Sequence, residues 1–424
     1  MSFIPPDEIS RNLIDCIQSG LIETDQDSTI IFYDFDLLLS KTKALISAFP
    51  ENTLHTIAIK ANPLVKILEK IKSLGLGVEA ASEGELFLAE KIGFHPSQTV
   101  FDSPAKTRNE LLYAISSNIN VNADSFMELE RIAELKEKIN SSSRIGLRIN
   151  PQIGYGTIAA TSVAGDYSKF GVPIKEFRTE IIESFKTYNW LSGIHIHIGS
   201  QGCSMQMLLS GFEESLKLIK EIQEQSGRNV EFIDIGGGLP TSYHHNQSPP
   251  DIIEYGAKIQ ELIQKYKLEH LQLITEFGRY LHANSGYTIS KVEYVKHYKE
   301  SNTLIIHAGA DLFLRECLNP GQWYHEFTLL DLNGEIKSGS KSIKYHIAGP
   351  LCFAGDIVAR DIELPKADEG DYVVIHDTGA YTFGMWSKYV SRMFPKVIMK
   401  TGKTFEIIRN REKPKDMYFF WSSY

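Results

Sequence analysis

Eight short apolar runs, each followed by a stretch of helical periodicity, organise the chain between about residues 55 and 276. They are Thr56–Ile59, Gly77–Ala80, Thr99–Phe101, Ile119–Val121, Ile145–Ile149, Gly193–Ile198, Phe232–Ile235 and Leu271–Thr275. Several are apolar at consecutive positions, so both faces need cover, as in parallel strands packed under helices. The intervening stretches are amphipathic. Leu64, Ile67, Leu68, Ile71 and Leu74 recur at helical spacing before Gly75 closes the segment. Ser125 followed by Glu128 is a capping-box signature at the head of MELERIAELKEKI. Eight strands alternating with helices predict a (β/α)8 barrel.

Past about residue 285 the helical period fades. Ile289–Val295, Thr303–His307, Glu326–Leu330 and Tyr372–His376 are strand-like runs separated by Asn, Gly and Pro turns. This part reads as an all-β domain, a barrel or sandwich, and the early run Thr29–Tyr33 is expected to join it. A length of 424 residues exceeds one ordinary core. The expected division is a strand segment at 1–35, the barrel at 36–280 and the β-domain at 281–424.

Composition removes several classes of function. A formal charge of -9 argues against nucleic acid, which needs a net basic face. No apolar run reaches the roughly 18 residues of a membrane span. The opening MSFIPPDEIS lacks a basic segment followed by an apolar one, so a cytoplasmic protein is expected. Cys16, Cys203, Cys317 and Cys352 show no metal or disulfide spacing, so a cysteine that matters should act as a thiol.

Reactive residues of such barrels lie at the C-terminal ends of the strands, and four features fall there. In IAIKANP, Lys60 ends a strand, where an ammonium that sheds its charge suits a Schiff base and an ordinary lysine would reach for solvent. In FIDIGGGLP, Gly236, Gly237 and Gly238 let backbone N–H groups approach a phosphate, or make a tight turn. In GIHIHIGSQG, His195 and His197 share one side of a strand, with Ser200 just beyond. Two histidines with no carboxylate or cysteine nearby make an incomplete metal site, so no metal is expected; one ring can stack on a planar cofactor, or be a core histidine. In LITEFGRYLHANSG, Glu276 can hold a proton on a heterocyclic nitrogen and Arg279 can pair with phosphate or carboxylate, unless the two form an ion pair. Together these are the parts of a pyridoxal 5′-phosphate site.

The order of IKANP, GVEAASEGEL, LRINP, SKFG, HIHIGSQG, DIGGGLP, EFGR, GPLCFAGD and DTGAYT resembles the ornithine/diaminopimelate/arginine decarboxylase group of fold-type III pyridoxal-phosphate enzymes, and HIHIGSQG is closest to the diaminopimelate branch. The resemblance runs from about residue 30 to 395. It implies an alanine-racemase-like barrel with a C-terminal β-domain. It implies that Lys60 carries the cofactor, that His197 stacks on its ring and that Glu276 binds its nitrogen. Ser200, Gly236, Gly237, Gly238, Arg279 and Tyr381 would hold the phosphate. Cys352 would reach into a second subunit's site, giving a homodimer with shared active sites. Arg315 and Tyr324 resemble the pair that binds a distal carboxylate, although extra residues separate them. With Arg279, Phe353 and Tyr381 they would face a small amino-acid substrate.

The chain departs from the family at two places. Phe277 stands where EPGR has proline, and Phe353 stands where relatives carry an acid that recognises a distal ammonium. The run CFAGD is also similar to carboxynorspermidine decarboxylases. The reaction implied is α-decarboxylation of an amino acid held as an aldimine, with the resulting carbanion protonated by Cys352. An amino-acid racemase on the same fold and a catalytically silent regulatory paralogue are the alternatives. Glu276 opposes the first, because racemases of this fold usually set an arginine against the ring nitrogen. Retention of Lys60, Glu276 and Cys352 opposes the second.

Overall fold

A computed structural model describes residues 3–246, 248–299, 301–339 and 342–423. The chain forms two compact units. One comprises 42–241 and 249–280, the other 1–41, 242–248 and 281–424.

The first unit is a closed barrel of eight parallel strands: β1 (Leu54–Ala58), β2 (Gly77–Ala80), β3 (Thr99–Asp102), β4 (Asn120–Ala123), β5 (Ile145–Asn150), β6 (Leu191–Ile196), β7 (Phe232–Asp234) and β8 (Gln272–Glu276). Neighbours pair in chain order, and β8 returns to β1 to close the ring. Val172–Pro173 adds a two-residue strand against β5. Ile57, Val78, Val100, Val121, Leu147, Ile194, Ile233 and Leu273 are all buried, which is why these strands read as continuous apolar runs. Phe232 fills the interior: a Cβ on Gly193 would lie 2.1 Å from its ring, so only glycine fits there. The stretch 64–74 forms the helix Val65–Ser73, burying Ile67, Leu68 and Ile71.

Two local expectations need correction. The first strand stops at Ala58, and Ile59–Ala61 is a 3-10 turn, so Lys60 sits on a turn instead of a strand end. At Ser125 only half of the capping box forms. Ser125 Oγ accepts from the Glu128 N–H at 3.3 Å, but the Glu128 carboxylate takes the Asp124 N–H and the buried Lys106 ammonium, at 2.8 Å each.

The second unit is mostly sheet. Its strands run in the order Ile357–Leu364, Ile343–Ala348, Ser301–Ile306, Gly286–Tyr298, Thr29–Asp34, Lys396–Thr401 and Thr404–Arg409. Thr29–Asp34 lies inside this sheet, antiparallel to Gly286–Tyr298 and parallel to Lys396–Thr401, so the N-terminal strand completes the C-terminal domain. Helix Pro6–Gln18 packs Ile9, Leu13 and Cys16 on Ile30, Phe32, Tyr287 and Ile398. Burial pushes the Cys16 thiol up to about 12, which leaves it inert.

Candidate active site

Lys60 follows β1 directly. Its ammonium donates to both oxygens of Glu79 on β2, at 2.7 and 2.6 Å. The lysine side chain is 40% exposed while Glu79 is fully buried, so the amine can be reached and its counter-ion cannot. Burial pushes the Glu79 carboxyl up to about 7 against the pull of Lys60. Glu79 was not singled out from the sequence; its signal was an acid inside a strand that is otherwise apolar.

Glu276 ends β8 and is buried, and its Oε1 makes no hydrogen bond among the described residues. Two imidazoles from the end of β6 face it: His195 Nε2 lies 3.9 Å from Oε1 and His197 Nδ1 lies 3.9 Å from Oε2. Burial raises the Glu276 carboxyl well above the usual range, and Asp234 and Glu79 push it the same way. Burial, aided by Arg148 and Lys60, holds His197 well below the ordinary histidine range, so its ring is neutral. The Gly237 N–H points at His197 Nδ1 from 3.4 Å, which places the ring proton on Nε2.

Carboxylates do stand beside the His195 and His197 pair, contrary to the reading along the strand, because they come from β3 and β8. Asp102, His195 and Glu276 each place a ligand-type atom within 4.8 Å of the others. Arg148 lies 3.1 Å from Asp102 Oδ2, however, and already supplies a positive charge to that carboxylate.

Gly236, Gly237 and Gly238 follow β7 and leave no room for side chains. A Cβ would lie 2.6 Å from His197 Nδ1, 2.5 Å from the Glu276 carbonyl oxygen and 2.3 Å from the Gly199 carbonyl oxygen, respectively. Gly236 and Gly238 have φ of 64° and 99°, open to glycine at no steric cost. The Gly236 N–H is held by Asp234 Oδ1 at 3.0 Å. Arg279 Nε donates to Ser200 Oγ at 3.1 Å, joining the loops after β6 and β8. Lys60, His197, Ser200, the three glycines, Glu276 and Arg279 therefore share one end of the barrel.

The other five candidates belong to the sheet unit. Arg315 is buried in Leu314–Leu318; its guanidinium lies 4.0 Å over the Trp323 ring and 5.9 Å from the Tyr381 ring, and it touches Glu316 at 3.4 Å. Tyr324 is half-exposed and stacks on His244, ring centroids 3.9 Å apart. Tyr381 has φ 56°, in a loop pinned by Thr378 to Thr288 at 2.8 Å. Cys352 is exposed, and its carbonyl accepts from Tyr389 Oη at 3.4 Å. Phe353 packs edge-on against Tyr389. Asp356 shapes this loop by accepting the Ala310 and Leu351 N–H groups at 2.6 Å each.

A family model described as "Pyridoxal-dependent decarboxylase, pyridoxal binding domain" matches residues 36–283. The chain belongs to the pyridoxal-dependent decarboxylases. It is 32% identical over 372 residues to the diaminopimelate decarboxylase of Methanothermobacter thermautotrophicus, covering 85% of this chain and 83% of that one. It is 30% identical over 382 residues to the diaminopimelate decarboxylase of Aquifex aeolicus, covering 90% and 88%. The crystal structure of Helicobacter pylori diaminopimelate decarboxylase complexed with L-lysine superposes with a TM-score of 0.85 at 29% identity, covering 95% of this chain and 98% of that one. The protein is thus an amino-acid carboxy-lyase with the alanine-racemase-like barrel and a β-domain, and its cofactor is pyridoxal 5′-phosphate. The site fits that group. It offers a reachable lysine, a backbone cradle that no Cβ can enter and a buried carboxyl oxygen with no hydrogen bond among the described residues.

Proposed function

We propose that this decarboxylase acts on an α-amino acid with a distal carboxylate, as its diaminopimelate-decarboxylase relatives are named for doing, and works as a cytoplasmic homodimer. The observation that carries the reading is Arg315. Its guanidinium is stacked on Trp323, next to Tyr381 and anchored by Glu316, a preorganised cation of the kind that binds carboxylate through two parallel hydrogen bonds. Four free thiols support a reducing compartment.

In this reading Lys60 attaches the cofactor aldehyde, and Glu79 holds the amine in place. Gly236–Gly238, Ser200, Arg279 and Tyr381 would bind the phosphate, and His197 would stack on the ring. Bound pyridoxal phosphate supplies the electron sink that accepts the pair left when the carboxylate departs. Glu276 keeps the ring nitrogen protonated, so that the sink stays deep. Cys352, exposed on its own subunit, protonates Cα in the neighbouring one. Arg315 and Tyr324 orient the distal carboxylate.

Phe353 narrows the substrate further. A phenyl ring accepts no charge-assisted hydrogen bond, and a cation–π contact returns only about 0.5–2 kcal/mol to a desolvated ammonium. A substrate whose distal amine is absent, masked or paired elsewhere is favoured over ornithine or lysine, and the CFAGD run supports a carboxynorspermidine-like molecule as the second choice. The test is CO2 release from meso-diaminopimelate, ornithine, lysine, arginine and carboxynorspermidine at saturating cofactor. Turnover of meso-diaminopimelate, the candidate with a distal carboxylate, well above that of ornithine, lysine and arginine is expected. Equal turnover of ornithine or lysine would remove Arg315 and Phe353 as determinants.

A further inference from the structure

His195 is wholly enclosed in the barrel between two acids from other strands. Its Nδ1 lies 3.5 Å from Asp102 Oδ1 on β3, and its Nε2 lies 3.9 Å from Glu276 Oε1 on β8. Among the described residues none of these four atoms makes a hydrogen bond, and all are buried from water. A neutral imidazole donates from one nitrogen and accepts at the other. With a carboxyl oxygen on each side, both contacts are satisfied only if the ring is doubly protonated or one facing carboxyl carries the second proton.

The surrounding charges decide which. Against the cost of its burial, Arg148, then His195 and Lys106, hold the Asp102 carboxyl well below the usual range, so Asp102 is anionic and faces the Nδ1–H from 3.5 Å. Burial raises Glu276 and lowers His195, which moves the remaining proton to Glu276 Oε1, facing Nε2. The other charged groups around the pair are already engaged. Lys60 and Glu79 bind each other, and Arg148 spans Asp102 and Asp124 at 3.1 and 3.7 Å. Asp234 accepts from Gly236 and Asn122, and His197 is neutral.

We propose that His195 is a positioning residue for Glu276: linked to Asp102, it fixes which Glu276 oxygen carries a proton and keeps that proton ready for a heterocyclic nitrogen docked there. The inference rests on the reading that Glu276 meets the ring nitrogen. The Oε1–H bond breaks, the proton passes to the nitrogen, and Glu276 is left as the anion beside it. His195 stays neutral, with its Nδ1–H on Asp102. The charged pair forms with no proton drawn from solvent.

Two measurements on the full chain test this. In the apoprotein labelled with 15N-histidine, the His195 signals are those lost in His195→Asn. Nδ1 is expected to carry an exchange-protected proton that Asp102→Asn exposes, and the Nε2 signal should move when pyridoxal phosphate is added. A His195 ring indifferent to both changes would overturn the proposal. In the loaded protein, the cofactor spectrum is followed with pH. His195→Asn and Asp102→Asn should each lose the ring-nitrogen proton about one pH unit or more below wild type. A wild-type spectral titration in both, with Glu276→Gln shifted, would overturn the role of His195 alone. A Glu276→Gln titration identical to wild type would overturn the underlying reading of Glu276.

Discussion

Gly237→Ala adds a single methyl group at the seam between the phosphate cradle and Glu276. The new Cβ would lie 2.5 Å from the Glu276 carbonyl oxygen, whereas comfortable non-bonded contact is at roughly 3.5 Å. The two must part by about 1 Å. The Glu276 N–H is bonded to the Gly236 carbonyl at 2.8 Å across the same seam, so the displacement tilts the carboxylate and the glycine run together. Overpacking of this kind costs about 1–3 kcal/mol, which is roughly a 5- to 140-fold loss of cofactor affinity at about 1.4 kcal/mol per decade. A misplacement of about 1 Å at a reacting centre lowers kcat by on the order of 10²-fold in addition. Absorbance titration of the apoprotein with pyridoxal phosphate gives the Kd, and CO2 release at saturating cofactor gives kcat. A folded Gly237→Ala protein with wild-type Kd and kcat would refute the cradle.

Glu276→Gln should still bind the cofactor but lose about 10²-fold or more in kcat, because a neutral amide no longer favours a protonated ring nitrogen; single-turnover CO2 release checks this. Mixed Lys60→Ala and Cys352→Ala subunits, each inactive alone, should regain up to about a quarter of the wild-type sites if the sites are shared across a twofold dimer, and subunit exchange without recovery would place both residues in one site. Asp356→Ala strands the Ala310 and Leu351 N–H groups, each bonded to the carboxylate at 2.6 Å. At about 1.5–3 kcal/mol per charge-assisted bond, urea unfolding should show a loss of at least about 3 kcal/mol, and an unchanged midpoint would rule out its part in shaping the Cys352 loop.

The barrel was legible because its strands are buried on both faces, and β-branched runs such as Ile145–Ile149 stand out from the amphipathic helices between them. Lys60, the glycine run, His197 and Glu276 were legible because each lies within one residue or a few of a strand's C-terminal end. Hidden from the sequence were contacts made between distant strands. Asp102 and Arg148 are 46 positions apart and read separately as ordinary charged residues. Glu79 lay inside a quoted motif, yet only the packing of β2 beside β1 gives it Lys60 as a partner. Asp356 was likewise in view as the end of GPLCFAGD, but its acceptors' role depends on Ala310, which arrives from another strand connection. Helix Pro6–Gln18 opens on two consecutive prolines, Pro5 and Pro6, which blur its start, although Ile9, Leu13 and Cys16 hold helical spacing. The edge strand Thr404–Arg409 is only partly buried, so its alternation carries little signal.

The central claim is that the chemistry is organised around Lys60 at the end of the barrel. Borohydride treatment of the protein loaded with pyridoxal phosphate, followed by peptide mass mapping, tests it most directly. The account predicts one reduced adduct, on the peptide containing Lys60, and its loss in Lys60→Ala. An adduct on another lysine such as Lys106, or one that survives in Lys60→Ala, would contradict it.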